Sequence, residues 1–303
     1  MKYYIFIIVF FLLLVQQVDA QKVGLVLSGG GAPGIAHIGM IKALEENSIP
    51  IDYITGTSIG AFIGALYASG YSPDEMIQFF KSSDFRKLKR FEIRFPKKFF
   101  IPTHIIQPQK IQKGLEKLTG QATKRSGADF DSLFVPFRCV ASDVYHKESF
   151  VFRRGNLATA IRASMTFPFV FEATKVDNRL LFDGGIYNNF PADIMQESFH
   201  PDFIIGSVVA YNPPQADSND ILMQLQNMII SNTNYNIPDS LGIVLNFDLK
   251  KRSMFDFSQI DSLVNIGYLE TKKQIEGIKM KVQGRVSMDE INRKRVLFRN
   301  SPL

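Results

Sequence analysis

Gly56-Thr57-Ser58-Ile59-Gly60 decides how this chain is read. The stretch Ile51-Asp52-Tyr53-Ile54-Thr55 precedes it and reads as a strand. A run of small and apolar residues, Ala61-Phe62-Ile63-Gly64-Ala65-Leu66-Tyr67-Ala68, follows it and reads as a helix. A serine at a sharp strand-to-helix turn holds its hydroxyl clear of the sheet, and glycines on either side let the backbone take that turn. Serine is also a common helix N-cap, and the two readings differ in where the hydroxyl points. Gly60, Gly64 and Ala68 at four-residue spacing give the helix a smooth face for close packing.

Upstream, Val23-Gly24-Leu25-Val26-Leu27 is apolar throughout, as suits a parallel strand covered on both sides. It runs into Ser28-Gly29-Gly30-Gly31-Ala32-Pro33-Gly34 and then a helix from Ile35 to Asn47, with Ile35, Ile38, Ile41 and Leu44 on one stripe. Strand, glycine loop, helix, strand, serine turn and helix in this order build a parallel sheet with right-handed crossovers. Gly29 to Gly34 also satisfies the dinucleotide fingerprint, which needs an acidic residue at the end of the second strand. Asp52 stands at that strand's start, and the serine turn occupies its end. The other use of such a loop is an oxyanion hole, with Gly29, Gly30, Gly31 and Gly34 at the helix start and the Ile59 N–H as a further donor.

The chain has 303 residues, 46% of them hydrophobic and 21% charged, which suits one large α/β domain. A net charge of +6 is too diffuse to indicate nucleic acid. The single cysteine, Cys139, excludes an intramolecular disulfide and reads as a buried small residue. Residues 1–20 read as a secretory signal: Lys2, an apolar run from Tyr3 to Val15, then Val18-Asp19-Ala20 before a cut at Gln21. This predicts an exported protein, periplasmic, secreted or associated with an outer membrane. The expected organisation is a catalytic domain over 21–280 and a basic tail over 281–303.

Ser72-Pro73-Asp74-Glu75 is a capping box that opens a helix. From 81 to 100 basic residues alternate with phenylalanines; this is either a solvated surface whose rings pack underneath or a peripheral contact with anionic membrane. A short helix is expected over Ile111–Leu118, strands over Phe134–Val140, Ser149–Phe152, Leu180–Phe182, Phe203–Val209 and Gly242–Phe247, and helices from Asn156, over 221–230 and over 258–279. The last takes its stripe from Ile260, Leu263, Val264, Leu269 and Ile275. Val176-Asp177-Asn178-Arg179 reads as a hairpin turn.

A serine nucleophile needs a base. Asp183, in Asp183-Gly184-Gly185, follows a strand where α/β enzymes place ligands, although Asp-Gly is also a turn dipeptide. The order Ser58, Asp183, His200 also permits a Ser-His-Asp esterase of the α/β-hydrolase type, and His37, three residues past Gly34, reads as structural or as a support behind the reacting residues. A catalytically inactive lipid-binding module is the third possibility.

Together, Gly29–Gly34, Gly56–Gly60 and Asp183–Gly185, with Ala141-Ser142-Asp143 and Ala160–Ser164 between them, resemble the patatin-like phospholipases over roughly residues 22–210. The resemblance implies a three-layer α/β/α sandwich with a mostly parallel central sheet. It implies a Ser58–Asp183 dyad without histidine, and hydrolysis of phospholipid or other lipid esters of the phospholipase A or lysophospholipase type. No metal or other cofactor is implied. One departure is Pro33, where the family usually carries Lys or Arg. Proline removes only its own N–H, so neighbouring backbone donors remain while a positive charge is missing.

Overall fold

The computed structural model describes residues 21–88, 108–168, 171–212, 215, 217, 224, 227–249 and 252–303. The signal reading, the part of the basic segment beyond 88 and half of the helix expected over 221–230 lie outside these residues.

The strands are β1 (Val23–Leu27), β2 (Tyr53–Thr57), β3 (Phe137–Asp143), β4 (Glu148–Phe152), β5 (Thr174–Val176), β6 (Arg179–Asp183), β7 (Phe203–Val208) and β8 (Gly242–Asn246). The helices are α1 (Ala36–Glu46), α2 (Ile59–Ala68), α3 (Pro73–Lys81), α4 (Ser83–Leu88), α5 (Pro108–Arg125), α6 (Leu157–Ser164), α7 (Ala192–Phe199), α8 (Ile260–Lys281) and α9 (Met288–Asn300). All strands join one sheet of order β5-β6-β3-β2-β1-β7-β8, with β4 also on β3. The stretch β3-β2-β1-β7-β8 is parallel, and β4, β5 and β6 are antiparallel additions. Helices cover both faces. Val23, Leu25 and Leu27 join a core shared with α1, α2 and α8, whereas Val26 packs with Met195 of α7, Ile204 and Val208. This is the three-layer α/β/α arrangement with a mostly parallel sheet, and strand alternation explains it: successive side chains leave opposite faces.

One detail of β3 positions the site. Its residues Phe137–Val140 pair with β2, and Ala141–Asp143 pair with β6. Because β4 occupies the other edge from Cys139 to Asp143, β2 and β6 must share the remaining edge. They run in opposite directions along it and end head to head, Thr57 opposite Val140 and Asp183 opposite Ala141.

Local signals act as expected at several ends. Ser72 and Glu75 form both bonds of the capping box, Asn156 accepts from the Thr159 N–H, and Asp177 and Asn178 make the hairpin with positive φ. Elsewhere the structure departs from the sequence reading. The helix expected over Ile111–Leu118 extends from Pro108 to Arg125. In α8, Leu269 is 48% exposed, and Gly267 and Thr271 face inward instead. The reason is a close helix crossing: a Cβ on Gly39 would collide with the Val264 carbonyl, and one on Gly267 with the Ala36 carbonyl. Residues 281–303, expected as a tail, carry α9, capped by Ser287 and packed on the domain through buried Arg295. Of the phenylalanines near the basic segment, Phe79, Phe80 and Phe85 pack edge-to-face with one another, and Phe85 against Phe257, so these rings lie underneath.

Candidate active site

Ser58 links β2 to α2 with φ 54° and ψ −124°, a conformation L-residues rarely adopt. The turn is tight because two glycines allow contact that a side chain would block. A Cβ at Gly56 would sit 2.6 Å from the Gly60 carbonyl oxygen, and one at Gly60 would sit 2.6 Å from that of Ser28. Ser58 makes no capping bond to α2. Its Oγ instead donates to Asp183 Oδ2 at 2.6 Å. The hydroxyl therefore points away from the helix it precedes, and the N-cap reading is set aside.

Asp183 closes β6 at the head-to-head junction. Its Oδ1 accepts the Gly185 N–H at 2.8 Å. Among the described residues it forms no ion pair, and burial raises its pKa to about 6 against the opposing hydrogen bonds from Ser58 and Gly185. Gly184 is required by a close approach, since a Cβ there would collide with the Val140 carbonyl. The Ser58 N–H donates to Ser164 Oγ at 2.8 Å, and Ser164 donates to the Val140 carbonyl at 2.5 Å. Ser164 thus ties the serine turn to β3.

The glycine loop needs a correction. The Gly29 N–H donates to the Asn189 carbonyl at 3.1 Å, and the Gly34 N–H to the Gly31 carbonyl at 2.9 Å. Neither retains a proton for an oxyanion. Gly30 and Gly31 do not donate within the described backbone network, and Ile59 opens α2, where the first N–H groups lack helical partners. The Gly31 turn has φ 65°, and Met254 crosses over it, its carbonyl accepting the Ala32 N–H at 2.8 Å. Pro33 is buried in this turn.

The histidines do not complete a triad among the described residues. His200 is exposed and caps α7 ahead of β7, whose Phe203 pairs with Val23 at the opposite end of the sheet. His37 is buried and bonds Ser207 Oγ and the Ser28 carbonyl. His146 sits on Asp143 at 2.6 Å. His104 lies outside the described residues. The dinucleotide reading fails on Asp52, which holds Lys22 and the Val23 N–H at the far end of the sheet. Cys139 is buried and its thiol is pushed up to about 12, so it is inert. Asp143, His146 and Glu148 have ligand atoms within 4.8 Å of one another, but Arg179 Nη1 bridges the carboxylates at 3.1 and 2.6 Å and balances their charge.

The sequence reading missed Ser164, Asn189 and the partners of His37, Ser28 and Ser207, although it placed His37 itself as a structural or supporting residue. Only Ser164 carried a signal, as the end of the Ala160–Ser164 stretch. The others act across long sequence separations.

The family model of patatin-like phospholipase matches residues 25–195, which run from within β1 to within α7 and include the glycine loop, Ser58, Ser164, Asp183 and Asn189. The chain belongs to the patatin-like phospholipase family. The mouse patatin-like phospholipase domain-containing protein 6 is 34% identical over 191 residues, 60% of this patatin-like chain and 13% of its own length. Lysophospholipase NTE1 of Cryptococcus neoformans is 33% identical over 194 residues, 64% of this chain and 12% of its own length. The chain thus spans about an eighth of either relative. Among solved structures, VipD from Legionella pneumophila aligns over 86% of this patatin-like chain and 67% of its own, at 13% identity and a TM-score of 0.48.

Proposed function

We propose that this patatin-like chain hydrolyses lipid acyl esters, of the phospholipase A or lysophospholipase type, through a Ser58–Asp183 dyad. The observation that carries the reading is the 2.6 Å hydrogen bond from a strained serine to a buried carboxylate that has no ion pair among the described residues. Asp183 takes the Ser58 proton as Oγ attacks the ester carbonyl carbon. The Gly30, Gly31 and Ile59 N–H groups hold the oxyanion, taking over the role expected also of Gly29 and Gly34. The tetrahedral intermediate collapses, and Asp183 returns the proton to the departing alcohol. Water, deprotonated by Asp183, then attacks the acyl-enzyme carbonyl; the bond to Ser58 Oγ breaks, Asp183 returns the proton to Oγ, and the fatty acid leaves. Family membership and the relative named a lysophospholipase support lipid esters as the substrate class.

Fluorophosphonate labelling tests the nucleophile without knowledge of the natural lipid. Wild type is expected to label, and Ser58→Ala is not. An unlabelled wild type that still binds lipid vesicles would favour an inactive lipid-binding module. Export by residues 1–20 belongs to the same proposal; the mature N-terminus is expected at Gln21 by N-terminal sequencing. Peripheral contact with anionic membrane through 81–100 is tested by exchanging Arg86, Lys87, Lys89 and Arg90 for Gln. Unchanged binding to anionic vesicles would remove that contact. Among the described residues, no helix is long and apolar enough to cross a membrane.

A further inference from the structure

Beneath the glycine loop lies a buried polar set that the dyad does not use. His37, Ser28 and Ser207 are each fully buried. His37 Nε2 lies 2.9 Å from the Ser28 carbonyl oxygen, and its Nδ1 lies 2.6 Å from Ser207 Oγ. A carbonyl only accepts, so Nε2 must carry the proton and Nδ1 must accept from the Ser207 hydroxyl. The tautomer is therefore fixed by its surroundings. Burial lowers the His37 pKa to about 4, which keeps the ring neutral at physiological pH.

These contacts control the direction of backbone groups at the site. The Ser28–Gly29 peptide is held at both ends, its carbonyl by His37 and its N–H by the Asn189 carbonyl. The Ser28 hydroxyl accepts the Val209 N–H at 3.0 Å and donates to the Gly29 carbonyl at 3.0 Å. In a trans peptide the carbonyl and the next N–H point in opposite directions. Fixing the Gly29 carbonyl therefore aims the Gly30 N–H. The Ser28 carbonyl also packs on Gly60, so the same clamp joins the glycine loop to the serine turn.

We propose that His37 is a positioning residue for the oxyanion donors: as the Nε2–H imidazole, seated on Ser207, it clamps the Ser28 carbonyl and so holds Ser28, whose hydroxyl fixes the Gly29 carbonyl and aims the Gly30 N–H at the developing negative charge. This rests on Ser58 being the nucleophile. A donor that acts only in the transition state affects kcat, whereas uniform binding affects KM.

The test compares wild type, His37→Phe, His37→Gln and Ser207→Ala on p-nitrophenyl butyrate, with active sites counted by end-point fluorophosphonate labelling. Outright loss of an oxyanion donor lowers kcat by about 10²–10³-fold, so a misaimed donor is expected to lower it by about 10-fold in His37→Phe. KM should move by less than about 3-fold. His37→Gln, whose amide can still donate to Ser28, should recover part of the loss. A merely structural role would reduce the number of labelled sites and leave kcat per site unchanged, and that result overturns the proposal. If His37→Phe fails to fold, Ser207→Ala keeps the imidazole, and kcat per site should still fall; a wild-type value there overturns the clamp. ¹⁵N NMR of the wild-type ring at pH 7 should show neutral Nε2–H, and an Nδ1–H or charged ring overturns it. If wild type neither labels nor hydrolyses, the reading of Ser58 fails by itself. The clamp is then judged on this spectrum and on amide exchange at Gly30 and Gly31, which should quicken in His37→Phe; unchanged exchange overturns it.

Discussion

Asp183 and Glu45 are both buried carboxylates, and the chain treats them in opposite ways. Glu45 lies in the last turn of α1, at the amino-terminal edge of the sheet. It pairs with the buried guanidinium of Arg295 and accepts the Tyr67 hydroxyl at 2.7 Å. The same guanidinium lies over the rings of Tyr67 and Phe134, 5.3 and 5.5 Å from their centroids. Burial and the nearby Glu45 hold the Tyr67 hydroxyl protonated, its pKa raised well above 10. Asp183, at the other edge, has a serine hydroxyl and one backbone N–H as hydrogen-bond donors and no ion pair among the described residues. A compensated buried charge fastens α9 to the domain. An uncompensated one remains basic enough to take a proton.

The largest expected effect lies at the uncompensated site. Ser58→Ala and Asp183→Asn should each lower kcat/KM for ester hydrolysis by about 10⁴-fold or more while circular dichroism stays native. Retention of activity in Asp183→Asn would end the comparison, because Asp183 would then be an ordinary buried turn residue.

The next largest lies at the compensated site. Glu45→Gln leaves the Arg295 charge without its partner and should lower stability by about 3–5 kcal/mol in denaturant titration. Activity per folded molecule should not change. Replacing Glu45 and Arg295 together by apolar residues of similar volume should recover most of the loss.

A smaller effect separates the two by pH. Asp183 binds its proton more tightly folded than unfolded, so its contribution to stability falls as pH rises from about 4 to about 6. Above that range the charged carboxylate costs on the order of 3 kcal/mol, which Asp183→Asn should largely recover as a higher Tm. Activity runs the other way, because the base must be deprotonated. In wild type kcat/KM should rise with unit slope to a midpoint near pH 6. A midpoint near 4 would mean that Asp183 is solvated in solution.

The smallest effect is expected at His200. His200→Ala should change kcat/KM by less than about 2-fold, since a side chain at the far end of the sheet meets neither Ser58 nor Asp183. A loss comparable to that of Ser58→Ala would restore the triad.

Much of the site was legible because its pieces are local. A strand ending in glycines, a helix beginning at once and a serine between glycines are patterns of neighbouring residues, and backbone sterics act on neighbours. The caps at Ser72 and Asn156 and the Asp177–Asn178 turn were legible for the same reason. The donors were less so. Gly29 and Gly34 look equivalent to Gly30 and Gly31 in sequence, yet their N–H groups are taken, the first by Asn189, 160 residues away. The inward face of α8 was misread at Leu269 because its partner helix demanded Gly267 there.

The sequence by itself determined the βαβα start, the serine turn and the choice of the two residues proposed to react. Each depends on local propensity and on where glycine alone fits. Tertiary structure decided that those two residues meet. Ser58 and Asp183 are 125 positions apart, and they come within 2.6 Å because β2 and β6 end head to head on one edge of β3. It also decided that Glu45 has an ion-pair partner and that Asp183 has none among the described residues, since Arg295 reaches Glu45 across 250 positions of chain. Register and charge pairing between distant segments follow from which surfaces pack together, and no local window of sequence carries that information.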